Sequence, residues 1–584
     1  VSPRARGGAI AGTADRLILG RIATLAGRTG PGWAEGLAIR SGRVVAVGTA
    51  SELDALRGPR TAVWELGAIR VVLPGIVDAH LHLASAALAA RQPDLGACRS
   101  HAEVLAIIRS VHEQLRRAGD REGWLLGHGW SLDQLGAWPR ADELDAAAPG
   151  RPVALWAHDH HSRWASRAAL AAAGITGASP DPATGRIGRD SAGAPDGMLY
   201  EGAATLVDRA IPEPDAARLA ADLDAYATDL ARLGVVGAHD PGEVVSDPRM
   251  LRGPTFYRAL AAAGRLPLRV VASIRDEQLD AAIAAGVHTG RGVTASPSDA
   301  ERLWPSREVS SDARRDRYRD GWLKLFADGA LGSRSAALLT PYEPGDPGGP
   351  PVGGPTGMLL RSRVALAAAA ERAARAGIAV QIHGIGDAAV RVDLDVLAAL
   401  PRVGAAHHRV EHAQLVDAAD IARFAAADIV ASMQPCHLIG DAVAARAAWG
   451  PRTVGAFPLR SLLEAGAVLA FGTDAPVEPP DPWPGIAAAV TRSAGRWPAD
   501  QPPFHPEQAI DLWAAIRAAT RGPAASLGVA DEGHLGQGAR ADLVVVDGAT
   551  VDEPPVPGGA LEHCRPAVTL LDGDIVWADP GFDA

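Results

Sequence analysis

IAVQIHGIGD, residues 378–387, decides the fold. Ile378, Val380 and Ile382 alternate with Ala379, Gln381 and His383, the period of two of a β-strand. The first set would face helices and the second the inside of a barrel. Gly384-Ile385-Gly386-Asp387 then makes a sharp turn, so His383 ends the strand at a rim. VLAFGTDAP (468–476) repeats the arrangement. Leu469 and Phe471 point out, while Val468, Ala470, Gly472 and Asp474 point in.

Six more short β-rich runs complete a set of eight: VVLPGIVDAH (71–80), VVGAHDPG (235–242), LPLRVVASI (266–274), WLKLFADG (322–329), HRVEHAQ (408–414) and IVASMQP (429–435). From about residue 234 they alternate with alanine-rich stretches at helical spacing. Eight strand–helix units predict a closed, parallel (β/α)8 barrel in the α/β class.

Around the barrel the chain divides further. Residues 1–70 and 534–584 both carry alternating strands, with turns at Ser41-Gly42 and Asp572-Gly573. They predict one small β-sandwich built from both termini. Residues 71–83 are the first barrel strand and 234–533 the rest of the barrel. Residues 84–233 interrupt it as an inserted α/β subdomain, opened by the capping-box pattern Ser100-x-x-Glu103 and placed as a lid over the mouth. The charged stretch 301–320 and the Pro/Gly-dense stretch 341–357 read as loops.

At 584 residues and 47% apolar composition, the chain can bury a large core. A net charge of −11 argues against a nucleic-acid surface or a polybasic membrane anchor. No run reaches the roughly 18 apolar residues of a membrane span. VSPRARGGAIAG (1–12) holds no apolar run of signal-peptide length. Cys98, Cys436 and Cys564 form no Cys-x-x-Cys pair and read as reduced, so a cytoplasmic location is expected.

Six metal-capable side chains fall where strand-like runs end: His80, His82, Lys324, His383, His412 and Asp474. Neutral imidazole is the commonest protein ligand for zinc, and strand ends of one barrel rim converge. Lys324, between Leu323 and Leu325, points inward, and two readings stay open. One is a buried lysine paired with Asp328 or Asp474. The other is a carbamate formed with CO2, able to bridge two cations. The set would hold one or two divalent ions, with Asp474 as the catalytic group that takes a proton from water and passes it to a leaving amine.

VVLPGIVDAHLHL (71–83), KLFADGALGSRSA (324–336), QIHGIGDAAV (381–390), RVEHAQL (409–415), FGTDAPV (471–477) and GQGARADLVVVD (536–547) together carry a likeness. In these segments the chain resembles the amidohydrolase superfamily, and most of all its branch of N-substituted formamide deformylases. The resemblance implies His80, His82, Lys324, His383 and His412 as metal ligands, and Asp474 as ligand and general base. It also implies a substrate contact at His161-Ser162 within WAHDHHSRWAS (156–166), where His158, His160 and His161 stand in place of the usual single histidine. Trp164, Gln434 and His437 are further substrate-pocket candidates. Arg334 either holds a substrate oxygen or pairs with Asp328.

The expected function is metal-dependent hydrolysis of a C–N bond in an N-substituted amide or formamide. Zinc is the expected ion, and a small-molecule amide the expected partner, with a homodimer as one assembly state. One alternative keeps the metals and changes the bond to a lactone, carbamate or phosphoester. Others are an isomerase or decarboxylase on the same barrel, and a metal-free scaffold protein.

Overall fold

The computed structural model describes residues 12–158, 161–182, 185–243, 253–293, 316–345, 351–498 and 501–583. Most of the loop predicted at 301–320, part of that at 341–357, and His160 lie outside the described residues.

All eight predicted barrel strands form, each hydrogen-bonded in parallel to the next. We number them β1 (Ile76–Asp78), β2 (Val235–Asp240), β3 (Arg269–Arg275), β4 (Tyr318–Phe326), β5 (Val380–Gly384), β6 (Arg409–His412), β7 (Val430–Met433) and β8 (Leu469–Phe471). Backbone bonds just beyond β1 and β8 bring the ends together: Ala79 N–H to Phe471 O at 2.9 Å and Asp474 N–H to His80 O at 2.7 Å. A ring results, and its seam runs through the candidate site.

The predicted alternation explains the outer layer. Val380 and Ile382 pack in one buried cluster with Leu366, Ala370, Val390 and Leu394 from the helices Arg363–Arg375 and Asp387–Leu397. The first of these helices forms because Leu366, Ala370, Ala373 and Ala374 recur on one face, and because Ser362 Oγ accepts the Ala365 N–H at 3.3 Å. Truncating Leu366 to alanine would cost about 2–5 kcal/mol. Inside the ring the pattern inverts: Gln381 donates to Ser273 Oγ at 3.0 Å.

The stretch 71–80, expected as one barrel strand, is two. Arg70–Pro74 pairs antiparallel with Leu543–Asp547 in the terminal sheet, and only Ile76–Asp78 enters the barrel. Pro74 lacks an N–H to continue the ladder. Gly75 passes so close to β2 that a Cβ there would lie 2.6 Å from Val236 Cγ1.

The terminal β-structure is one sheet of eight strands drawn from both ends of the chain. It forks at Arg16–Ala23, whose first half pairs with Ala62–Glu65 and whose second half pairs with Arg70–Pro74. The inserted segment has its own five-stranded sheet, in the spatial order Gly185–Arg189, Pro195–Glu201, Ser162–Ala165, Val153–Ala157 and Leu125–Trp130. Its leading helix, His101–Arg117, is capped by Ser100. Glu103 reaches back to the Arg99 N–H at 2.7 Å rather than to that of Ser100.

The insert is shorter than the expected 84–233. The helices Leu83–Ala89 and Ala216–Arg232 pack into the barrel's outer core through Leu83, Ala86, Leu219, Leu223 and Leu230. Their apolar stripes are satisfied there and not by the insert's sheet. Cys98, Cys436 and Cys564 are buried free thiols. Among the described residues no helix is long and apolar enough to cross a membrane.

Candidate metal centre

The site is built upward from the barrel interior. Arg409, fully buried on β6, donates to Ala79 O and to Ser432 Oγ at 2.6 Å each, and its Nη1 lies 3.0 Å from His239 Nδ1. Its Nε lies 2.8 Å from Glu411 Oε1, one step up the same face of the strand. Burial alone would raise the Glu411 carboxyl, but Arg409 and His80 hold it well below the usual carboxylate range. Glu411 Oε2 meets His80 Nδ1 at 2.5 Å. That contact assigns the ring proton to Nδ1 and turns Nε2 toward the mouth as an acceptor.

Desolvation, with Lys324 nearby, pushes the His80 pKa down to about 4, so the ring is neutral. The same cause, with neighbouring His383, holds His412 well below its ordinary value. His80 Nε2 and His412 Nδ1 are buried and have no hydrogen-bond partner among the described residues. Leaving such an acceptor unsatisfied costs about 1–3 kcal/mol, so each calls for an explanation.

The third member is Asp474. Its Oδ1 lies 3.5 Å from both His80 Nε2 and His82 Nε2, and its Oδ2 lies 3.3 Å from His437 Nε2. Burial opposes its charge, yet His437 and His82 keep its pKa well below the ordinary value. One ligand atom each from His80, His412 and Asp474 fall within 4.8 Å of one another. His412 and Asp474 adopt φ of +70° and +61°, values that cost a non-glycine residue about 1–3 kcal/mol. Simple alternation along β6 would send His412 outward, opposite to Glu411; the left-handed turn brings it into the mouth instead.

The other predicted ligands surround this trio. His383 packs 4.5 Å from the His412 ring, and its Nε2 lies 3.0 Å from Gly329 O. His80 and His82 both lie beyond the strand: β1 stops at Asp78, and His82 stands just before the helix Leu83–Ala89, with its ring 5.6 Å from that of His80. Lys324 is 1% exposed, with Nζ 4.8 Å from the Phe326 ring centre, and burial draws its pKa down to about 8.

The substrate-pocket candidates separate. His437 belongs to the site: beyond Asp474, its Nδ1 lies 3.6 Å from Glu478 Oε1, and these carboxylates raise its pKa to about 10 against the effect of burial. His158 meets Glu478 from the insert at 3.5 Å. His161 bonds Glu201 at 2.8 Å, and Glu201 accepts from Ser335 Oγ of the loop after β4 at 2.9 Å. Gln434 is buried, and its Oε1 has no partner among the described residues.

Arg334 is 4% exposed and donates to Leu331 O at 2.7 Å. Asp328, the partner expected for Arg334 or Lys324, instead accepts the N–H groups of Ala337, Ile385 and Gly386 at 2.8–3.0 Å. It ties the loop after β4 to the loop after β5. Trp164 is a correction. It lies fully buried in the insert's own core beside Trp130, with its indole N–H on Arg140 O, and is no pocket residue.

Glu411, Arg409, Asp78 and Glu478 escaped the sequence reading. Asp78 accepts from the His80 N–H and from Thr473 Oγ at 2.6 Å, locking the seam. A signal existed for one pair only: Arg409 and Glu411 stand two apart on a strand that ends in a candidate ligand.

Neutral imidazoles with orphaned nitrogens facing a carboxylate suit a divalent cation. Comparison with known proteins agrees. Residues 70–576 match the amidohydrolase family. The protein YtcJ of Bacillus subtilis (strain 168) is 30% identical over 513 residues, covering 87% of this chain and 89% of that protein. The N-substituted formamide deformylase of Arthrobacter pascens is 27% identical over 561 residues, covering 92% and 94%. The crystal structure of an uncharacterized metal-dependent hydrolase from Pyrococcus horikoshii OT3 superposes with a TM-score of 0.69 at 26% identity, covering 91% of this chain and 97% of that one.

Proposed function

The chain belongs to the amidohydrolase family, and from that premise we propose that this metal-dependent amidohydrolase cleaves the C–N bond of an N-substituted amide or formamide. The observation that carries the reading is the meeting of His80, His412 and Asp474 ligand atoms in one buried pocket, together with the His80 and His412 rings each keeping a buried nitrogen that has no hydrogen-bond partner among the described residues. His80, His82, His383, His412 and Asp474 would hold the ion, and zinc fits their donor types. A bound divalent cation supplies Lewis acidity, polarising a carbonyl and bringing the pKa of water from about 15.7 towards about 7.

The remaining chemistry belongs to the chain. Asp474, kept ionised by His437 and His82, takes the proton of the attacking water on a carboxylate oxygen and returns it to the departing nitrogen. His437 fixes which oxygen faces the substrate, since it occupies Oδ2. Glu411 fixes the tautomer of His80. The insert brings His158 and His161 to the rim, where they narrow access and limit water. Lys324 as a carbamate is part of the same proposal: burial draws its pKa down to about 8, which favours the neutral amine that reacts with CO2.

The relative from Arthrobacter pascens supports the substrate class by its name. The test is amine release from a panel of N-substituted formamides and amides by zinc-loaded protein, beside lactones and phosphoesters. Turnover of the amides is expected. Hydrolysis of a lactone or phosphoester with no amide cleaved would overturn the reading.

A further inference from the structure

The barrel rim carries one strand-end cation that the reaction above does not use. Arg275 is the last residue of β3 and stands opposite Lys324 in the β3–β4 ladder. It shares its strand parity with Ser273, whose Oγ receives Gln381 inside the barrel, so Arg275 also points inward, one layer higher. Its guanidinium carbon sits 4.2 Å from the centre of the Phe326 ring, and Phe326 stacks on His383 with centroids 5.1 Å apart and planes 28° from parallel. The fork is thus fixed two ring contacts from a candidate ligand. Gly242 makes room for its stem, since a Cβ there would touch Arg275 Cγ and Cδ at 3.4 Å.

Among the described residues, no carboxylate is in close contact with that fork. Glu277, Glu243 and Asp240 oppose its charge through space, while Arg361 adds to it and is itself held by Asp276 at 2.5 Å. No ion pair joins Arg275 to a carboxylate among the described residues. A planar guanidinium stacked on an aromatic face and half-buried at a mouth is suited to a carboxylate, which it can grip with two parallel N–H bonds.

We propose that Arg275 binds a carboxylate on the substrate close to the scissile amide, making the preferred substrates N-acyl or N-formyl amino acids. The inference rests on the amide reading above and gives that substrate its second handle. Phe326 serves as the platform that keeps the fork flat. The carboxylate would lie on the β3 side of the mouth, away from Asp474, with the acyl carbon held between.

The experiment compares N-formylphenylalanine with its neutral alcohol, N-formylphenylalaninol, on the metal-loaded full chain. The wild type should favour the acid in kcat/KM, and Arg275→Met should lower the acid-to-alcohol ratio about tenfold or more. An unaltered ratio would overturn the inference. Should Arg275→Met fail to fold, Arg275→Lys decides. It keeps the charge and loses the fork, so a ratio reduced about threefold or more supports the proposal, and an unchanged one overturns it. If the wild type releases amine from neither compound, the reading of the reaction falls. Calorimetric binding of the same two compounds then judges Arg275 alone. Tighter binding of the acid, lost in Arg275→Met, supports the assignment, and equal binding of acid and alcohol refutes it.

Discussion

The two ends of the barrel treat polar groups in opposite ways. At the floor, Arg269 at the start of β3 grips Asp542 through Nε and Nη2 at 2.6 and 3.0 Å and also meets Asp572. Arg317 adds a contact to Asp572 at 3.0 Å, and Arg540 one to Glu532 at 3.1 Å. Each guanidinium there faces a carboxylate of the terminal sheet or its approach, and the network fastens that sheet to the barrel. At the mouth, two imidazole nitrogens lack partners, and two site residues sit in left-handed backbone. Matched charges mark the end that holds the molecule together. Unmatched imidazole acceptors mark the end that waits for a ligand, whereas left-handed backbone occurs at both ends, at Asp572 of the floor with φ of +54° as at the two mouth residues.

Variants at each end should separate these roles. The largest effect is expected of Asp474→Asn: kcat/KM for amide hydrolysis should fall by about 10²–10⁴-fold in a protein that still folds. Steady-state kinetics beside a melting curve would check this, and full activity would remove the proton-transfer role. Arg269→Met should do the converse. It leaves Asp542 buried without its partner and should cost about 3–5 kcal/mol in denaturant unfolding, with kcat of the folded fraction unchanged. A variant as stable as the parent would show that the floor network holds nothing.

Glu411→Gln sharpens the contrast within the mouth. The His80 ring would lose its fixed tautomer, and metal retention against a chelator should weaken about 10–100-fold. Retention equal to the parent's would detach Glu411 from the site. The smallest effect concerns pH. Asp572 is depressed below its ordinary value because Arg269 and Arg317 outweigh burial. Its contribution to stability is therefore present above the unfolded carboxylate pKa and lost as pH falls through the folded one. Asp572→Asn should flatten the acid limb of a stability–pH curve, and an unchanged limb would count against this coupling.

How much of this the sequence carried depends on range. Strand alternation is local, so 378–383 and 468–474 revealed both their faces and the barrel. The split at Pro74-Gly75 was not legible, because Arg70–Pro74 chooses its partner, Leu543–Asp547, from the far end of the chain. The ends of the insert were misplaced for a similar reason: an apolar stripe on Ala216–Arg232 does not say which sheet it will cover. Trp164 followed a resemblance and not a contact, and the contact turned out to be Trp130. Glu411 and Glu478 were missed because a carboxylate's role depends on which ring it meets. His80 stands 331 positions from Glu411.

The central claim is that His80, His412 and Asp474 share one divalent cation. Anomalous scattering from crystals of the zinc-loaded protein tests it most directly. The account predicts a peak about 2.0–2.2 Å from His80 Nε2 and from an Asp474 oxygen, with His412 completing the contact. A protein that hydrolyses its substrate while the only peak lies outside this trio would contradict it.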